Sequence, residues 1–303
     1  MAQAPAPPKW KRLALRAAAT LSPQFAEAHA TAPSERAAIA ARQRPLQVPD
    51  TAEIVFLIPL VGPHHVSDWS AVSRRACATL ESFRRQTSPR WRVLLCGQSA
   101  PENLPQDPRI TWLPFTEPVA GNDKWAKLSA LAAALRDSGI PHGYAMPFDA
   151  DDLLAPHVVA EMLDRRASGG YLVERGYVLD AATGGWAATA PQSWRAPGQK
   201  AFWKLCGSCA AFAFDLSKGP EDAHLIAAIT AHEHRVFPYL AQLAGRPLSP
   251  LRPGAALYIL NHGDNFGARR GRVSFKTRYV SRFALRDPSR QTELARTFGL
   301  AGL

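Results

Sequence analysis

From residue 53 onward, short apolar runs alternate with stretches whose apolar residues recur at a period near 3.6, the pattern of buried strands joined by amphipathic helices. Ile54 to Val61 predicts the first strand. Ser70 to Thr87 predicts a helix with Val72, Ala76, Leu80 and Phe83 on one face, and Trp91 to Cys96 predicts the second strand. Ile110 to Pro114 reads as a third, shorter strand. Lys124 to Ser138 reads as a helix with Leu128, Leu131 and Leu135 inward, and Gly143 to Phe148 as a strand running into an acidic cluster. The order β-α-β-β-α-β is that of a mainly parallel central sheet with crossover helices on its faces.

Beyond the cluster, Pro156 to Ala167 predicts a helix, Tyr171 to Asp180 a strand ending near Gly184 and Gly185, and Phe202 to Phe214 a strand region rich in small residues. Another helix follows. His234 to Ala244 then precedes a strand, Ala255 to Leu260, which delivers Asn261, His262, Gly263, Asp264 and Asn265. After Phe266 the sequence is basic and spotted with aromatics, and is expected to form a tail or lid. Residues 1–50 are rich in Ala, Pro and Arg, and place Trp10, Leu13, Ala17 and Leu21 on one helical stripe with a basic opposite side. Such a helix is expected to lie on a lipid surface, to dock on the domain, or to belong to a poorly ordered extension. The expected organisation is an extension over 1–50, an α/β catalytic domain over 51–265 and a C-terminal tail or lid over 266–303. No internal repeat is visible.

Composition narrows this reading. At 303 residues and 47% hydrophobic, the chain is long enough to bury a large core. No apolar run approaches the roughly 18 to 20 residues that cross a bilayer. Lys9, Lys11, Arg12 and Arg16 are followed by alanine with little Leu or Val, which does not read as a secretory signal, so a cytoplasmic location is expected. Four cysteines are too few for a disulfide scaffold. Cys206 and Cys209 lack a second ligand pair for zinc and are expected to pack as buried thiols.

The net charge of +11 is unevenly placed. Residues 1–50 carry seven Lys/Arg against three acids and residues 266–303 nine against two, or +4 and +7, while 51–265 balance at twenty against twenty. A nucleic-acid groove is expected on the folded domain itself, so flanking basic arms fit an anionic membrane surface or an anionic substrate better. Solvated arms without a partner are the plain alternative. No nucleic-acid partner is expected.

The strongest chemical signal is Phe148-Asp149-Ala150-Asp151-Asp152-Leu153, where an apolar strand ends in three carboxylates within four positions. Residues i and i+2 of a strand share a face, so Asp149 and Asp151 converge at the carboxyl end of the sheet, where α/β folds bind ligands. Hard oxygen donors there suit Mg²⁺ or Mn²⁺ bridged to a diphosphate. The alternative is a solvated acidic turn capping the next helix, to which Asp152 would contribute. Lys124 and Lys127, three apart at a helix start, offer one face and a favourable dipole to a diphosphate, against an ordinary exposed helix face.

Asp149-Ala-Asp151-Asp152 after a strand resembles the DxD motif of GT-A glycosyltransferases, especially family 2, and the likeness extends over residues 53 to 265. It implies a GT-A, nucleotide-diphospho-sugar transferase fold of α/β class. The strand Ile54 to Pro59, the helix end Thr79 to Gln86 and the strand Trp91 to Cys96 resemble that family's opening, where the nucleotide base is held. Pro59 and Gln98 are therefore expected on the donor side. The family's second strand usually ends in acidic residues, whereas Cys96-Gly-Gln98-Ser99 stands here. By resemblance, Asp149 touches the donor ribose or sugar and Asp151 with Asp152 holds the metal. Asp149 also counts as a metal candidate, and Lys127 sits where the family often places a donor contact. His262, ending a late strand, is similar to the histidine that gives many GT-A enzymes another metal or phosphate contact; a plain surface histidine is the alternative.

An inverting transfer needs a general base beside the acceptor hydroxyl. Family 2 enzymes commonly take it from an acidic pair opening a helix. Here His232-Glu233-His234 occupies a similar position, making Glu233 the first candidate and His234 the second, with Asp222 a rival by the same helix-opening argument. A helix cap or surface charge is the alternative for each. The Phe202 to Phe214 segment resembles the acceptor-side strand, with Gly207 and Ser208 allowing close approach of a sugar and Trp203 stacking on its ring. Trp194 is a similar candidate, and core packing is the alternative for both tryptophans.

The expected function is metal-assisted sugar transfer, with inversion, from a nucleotide-sugar donor to a glycan or lipid-linked acceptor in surface polysaccharide or lipopolysaccharide synthesis. Peripheral contact with the inner face of an anionic membrane is expected through the basic termini. Two alternatives stand beside it. One is a non-catalytic nucleotide-binding or membrane-associated protein of GT-A shape. The other is a Mg²⁺-dependent phosphatase of the haloacid-dehalogenase kind, whose motif belongs near the N-terminus and carries Thr or Ser where Leu153 stands.

Overall fold

The computed structural model describes residues 2–119, 121–262 and 273–300, the side chains of Val273 and Ser274 excepted. Three helices, α1 (Lys9–Leu21), α2 (Pro23–His29) and α3 (Pro33–Arg42), precede β1 (Glu53–Pro59). Then follow α4 (Trp69–Arg84), β2 (Trp91–Gly97), β3 (Ile110–Pro114), α5 (Lys124–Arg136), β4 (His142–Pro147), the two-residue β5 (Leu153–Leu154) and α6 (Val158–Arg165). The chain continues through β6 (Gly170–Leu172), β7 (Tyr177–Asp180), β8 (Gly185–Ala188), β9 (Ala210–Asp215), α7 (Glu221–Thr230) and α8 (Phe237–Leu243). It ends with β10 (Ser249–Pro250), β11 (Ala256–Leu260), α9 (Val273–Arg282) and α10 (Pro288–Phe298).

The architecture is mixed α/β, with a seven-stranded, mainly parallel sheet in the order β10-β6-β9-β4-β1-β2-β3 flanked by helices. Strands β1 to β4 pair in parallel, and β1, β2 and β4 have the near-continuous apolar sequences of strands covered on both faces, while β3 is a half-exposed edge. β9 runs antiparallel between β4 and β6. α4 buries Val72, Ala76, Leu80 and Phe83, the face its periodicity predicts, and Asp68 caps it by accepting the Ala71 N–H at 2.8 Å. Phe83 stacks on Phe56 of β1 at 3.9 Å between ring centroids, and Phe148 meets both edge-on. The residue that precedes the acidic cluster is thereby anchored in the core.

Two strand readings depart from the sequence. The expected strand from Tyr171 to Asp180 is two strands in two sheets, because the chain leaves the main sheet after Leu172 and enters a four-stranded one, ordered β5-β11-β7-β8. Gly176 marks the change: a Cβ there would stand 2.5 Å from the Phe202 ring and 2.7 Å from the Ala256 carbonyl oxygen. Phe202 to Phe214 opens with a 3₁₀ turn at Phe202–Lys204 and becomes strand only at Ala210. Residues 1–50 are helical and packed, α1 on α8 and α3 on α7 and α8. Their ties include Ser34 Oγ with His232 Nε2 at 2.7 Å and the Tyr239 hydroxyl donating to Glu35 at 3.0 Å.

The stretch read as a tail or lid carries α9 on β7 and β8, and α10 with Leu294 and Phe298 buried. The 265/266 boundary, with Gly263, Asp264, Asn265 and Phe266, lies outside the described residues. Among the described residues, no helix is long and apolar enough to cross a membrane.

Candidate functional site

After β1 the chain builds β2 and β3 on one side and returns to lay β4 on the other. The connections leaving the carboxyl ends of β1 and β4 therefore part in opposite directions, opening the crevice where doubly wound sheets take ligands. A cavity of about 470 Å³ lies there, of a size that suits a small-molecule ligand. Pro59 of β1, Lys124 of α5 and Asp149 and Asp151 after β4 line it, and His262 reaches it from the end of β11.

The three carboxylates take three different environments. Asp149 is 29% exposed and accepts from the Lys124 ammonium at 2.5 Å. Burial alone would lower the Lys124 pKa, but the Asp149 carboxylate outweighs it and holds the ammonium above its usual value. Asp151, 28% exposed, meets His262 Nε2 at 2.8 Å. Burial pushes its pKa up, while the His262 hydrogen bond and the charges of His262, Lys124 and Arg75 together bring it below the ordinary carboxylate value.

Asp152 turns away from the cavity. It is fully buried, takes hydrogen bonds from Ser208 Oγ at 2.6 Å and Cys206 Sγ at 3.0 Å, and is pushed well above its usual pKa by burial and by the charges of Asp151 and Asp149. Its carboxyl lies outside the cavity lining and is committed to Ser208 and Cys206, so this arrangement does not bring it to the metal position expected of it. Nor do the carboxylates form a turn left to solvent: Lys124, His262 and the Ser208–Cys206 pair each take one of them as a hydrogen-bond partner.

Lys127, expected on the diphosphate, is fully buried and donates to the Leu60 carbonyl at 2.6 Å, to Gln98 at 2.8 Å and to Asp123 at 2.8 Å. Those acceptors use all three ammonium donors, so Lys127 braces the wall between β1 and α5 and has none to give a phosphate. Gln98 belongs to the same brace, donating in turn to Asp123 at 2.5 Å. Among the described residues, the one cluster of three groups with ligand atoms mutually within 4.8 Å is His64, His65 and Asp123. Asp123 is already committed there to Lys127 and Gln98.

Of the base candidates, Glu233 and His234 line the cavity and Asp222 does not. Asp222 is buried at the start of α7, 3.0 Å from Arg246, and accepts the Asp215 N–H at 2.9 Å, a fastening between helix and sheet. His234 is held neutral by burial and by the nearby charges of Lys124, Arg235 and Lys276, with its pKa pushed down to about 3. An imidazole so weakly basic is a poor proton acceptor at neutral pH, which favours Glu233.

Gly207 lines the cavity, and a Cβ there would come within 3.0 Å of Asp149 Oδ2. Ser208, expected to meet the acceptor, is instead fully buried, accepting the Asp149 N–H at 2.8 Å while donating to Asp152. Trp203 packs half-buried against the core outside the cavity lining, and Trp194 is 83% exposed in a loop away from it. Cys206 and Cys209 are buried free thiols, as expected.

Sequence reasoning missed Arg75, Tyr258 and Lys276, which all line the cavity. Lys276 donates to the Tyr258 hydroxyl at 2.6 Å, and burial lowers its pKa against the pull of the acidic cluster. Arg75 was findable, since a basic residue in the helix following β1 stands near the switch point. Lys276 was not, because its approach depends on how α9 folds back on the second sheet.

No family model matches the chain, and no curated protein matches it by sequence. Among solved structures, a crystal structure of TarS from S. aureus is similar over 81% of this chain, with a TM-score of 0.38 and 12% sequence identity. The chain spans 42% of the length of that protein.

Proposed function

We propose that the chain transfers a glycosyl group from a nucleotide-sugar donor to a hydroxyl of a glycan or lipid-linked acceptor, on a GT-A-type scaffold and with Mn²⁺ or Mg²⁺ as cofactor. One observation carries the reading: Asp149 and Asp151 face a cavity at the switch point of a mainly parallel sheet, ringed by Arg75, Lys124 and Lys276. Cations and carboxylates alternating in one cleft suit a ligand that brings both phosphate and metal. Carboxylate and imidazole are fitting donors for such an ion, so Asp151 and His262, 2.8 Å apart, would hold it, with Asp149 joining them once Lys124 turns to the diphosphate. When bound, a divalent ion supplies charge to the departing diphosphate.

The chain's own residues account for the rest. Lys124, at the N-terminus of α5, is placed to move from Asp149 to a diphosphate oxygen, aided by the helix dipole. Gly207 leaves open the space beside Asp149 that a side chain would fill. Glu233, on the cavity wall, takes the acceptor proton, and transfer then proceeds with inversion.

The test is a thermal-shift screen of UDP-, GDP-, CMP- and dTDP-sugars with and without Mn²⁺, with Asp151→Ala as control. A ligand at a hundred times its Kd stabilises the fold by about 2.7 kcal/mol, a shift of several degrees that Asp151→Ala should abolish. A flat response to every nucleotide, or a shift that survives Asp151→Ala, ends the reading. The pairing of Asp149 with Lys124 and of Asp151 with His262 also favours a second reading, a nucleotide binder that needs no metal and turns nothing over. Stabilisation that persists in EDTA without release of free nucleotide over time would select it.

A further inference from the structure

Helix α1 docks on the body through Leu15 and Ala19, which are buried, and leaves its other side bare. Trp10 is 72% exposed, Leu13 63% and Leu21 87%, and Phe25 of the adjoining α2 adds 57%. These are four of the six large apolar side chains found exposed among the described residues, so the clustering is local and not general to the surface. Positions 10, 13, 17 and 21 lie on one helical stripe. Exposed Lys9 and Arg16 border it, and four basic residues face a single acid, Glu27, between residues 9 and 34.

The N-terminal segment also touches the candidate site. Gln3 lines the cavity, and Ala4 donates its N–H to the Ala231 carbonyl at 2.8 Å, next to His232 and Glu233. Five residues separate Gln3 from the start of α1, a reach of at most about 22 Å.

We infer that α1, with Phe25 of α2, is a docking face for an anionic lipid bilayer, lying in the interface with Trp10, Leu13, Ala17 and Leu21 toward the acyl region. An interfacial helix needs an apolar stripe with Trp and Leu, flanking cations that reach phosphate headgroups, and a position on the outside of the fold; α1 has all three. Charge chooses the lipid over a second copy of the chain, because pairing two such faces brings like-charged rims together. Docking this way holds the cavity mouth close to the membrane surface. That consequence for a lipid-linked acceptor rests on the glycosyl-transfer reading; the docking does not.

Vesicle flotation of the full chain tests the inference, with phosphatidylcholine vesicles and with phosphatidylcholine–phosphatidylglycerol mixtures. Binding is expected to the anionic vesicles alone, to weaken with salt, and to fall about tenfold or more in the double variant Trp10→Glu, Leu21→Glu. The variant's melting temperature should stay that of the parent, since both side chains stand in water. Three results overturn the inference: no binding of the parent chain to anionic vesicles, equal binding by the double variant, or a dimer in sedimentation that Trp10→Glu dissolves. Nucleotide-induced thermal shifts measured without vesicles are expected to be the same for parent and variant, so a failed donor site and a failed docking face give separate signatures.

Discussion

At the scale of single residues, the sequence Asp149-Ala-Asp151-Asp152 locates the site, while burial decides what each carboxylate does there. The turn between β4 and β5, closed by the Asp152 N–H on the Asp149 carbonyl, carries Asp152 away from its neighbours, and Ser208 receives it inside the protein. Ser208→Ala would leave the buried Asp149 N–H without its partner and take one hydrogen bond from the Asp152 carboxyl, which keeps Cys206, at a cost of about 1–3 kcal/mol. Urea unfolding should register that loss; a stability unchanged by the substitution would return Ser208 to the acceptor-binding role its sequence position suggested. Residue type and spacing made Asp149, Asp151, Glu233 and Gly207 legible. The inward turn of Asp152, Ser208 and Lys127 was not, because it depends on partners far apart in the chain, such as Leu60 for Lys127.

His234 gives a pH signature at the same scale. Its folded pKa of about 3 lies below the ordinary 6.5, so the unfolded chain takes up a proton first as pH falls. The stability it supports is complete above about pH 6.5 and declines toward pH 3, with a slope of at most about 1.4 kcal/mol per pH unit. His234→Gln removes this contribution, and the acid limb of melting temperature against pH should become shallower between pH 6 and 4. An unaltered limb would mean that His234 already titrates normally in the folded protein.

At the scale of elements, the long apolar strands and the two crossover helices were legible from periodicity, and their observed bounds differ from the expected ones by a few residues at most. Short strands were not. β5, β8 and β10 span two to four residues, too few to express a period, and the alanine-rich β9 carries little alternation. The change of sheet at Gly176 is likewise a tertiary matter, set by how close Phe202 and Ala256 come. Gly176→Ala forces a methyl against a ring and a backbone carbonyl, and should lower stability by about 1–3 kcal/mol. Because β7 pairs with β11, which ends next to His262, the same substitution should disturb the cavity, seen as a weakened nucleotide-induced thermal shift. Lowered stability with an unchanged shift would show the two sheets to be independent.

At the scale of the whole molecule, the stripe from Trp10 to Leu21 left lipid contact, docking on the domain and a poorly ordered extension open, and the segment forms a helical layer over α7 and α8. Its charge sits on the outer surface, while Ala38, Ile39 and Ala41 pack inward and Glu35 takes the Tyr239 hydroxyl together with the N–H groups of Thr31 and Ala32. Composition registers the outer charge and is blind to the inner contacts. The layer also reaches the site, because Ser34 holds His232 and the next two residues are the base candidates. Deleting residues 2–44 should therefore loosen one wall of the cavity selectively. Hydrogen exchange is expected to accelerate through residues 232–243 while β1, β2 and β4 stay protected, since their pairing does not involve the deleted helices. Uniform loss of protection would make the layer part of one cooperative unit with the sheet. Unchanged exchange at 232–243 would instead mean that the wall stands without the layer, and that α1 can bring lipid near the site without bearing on its structure.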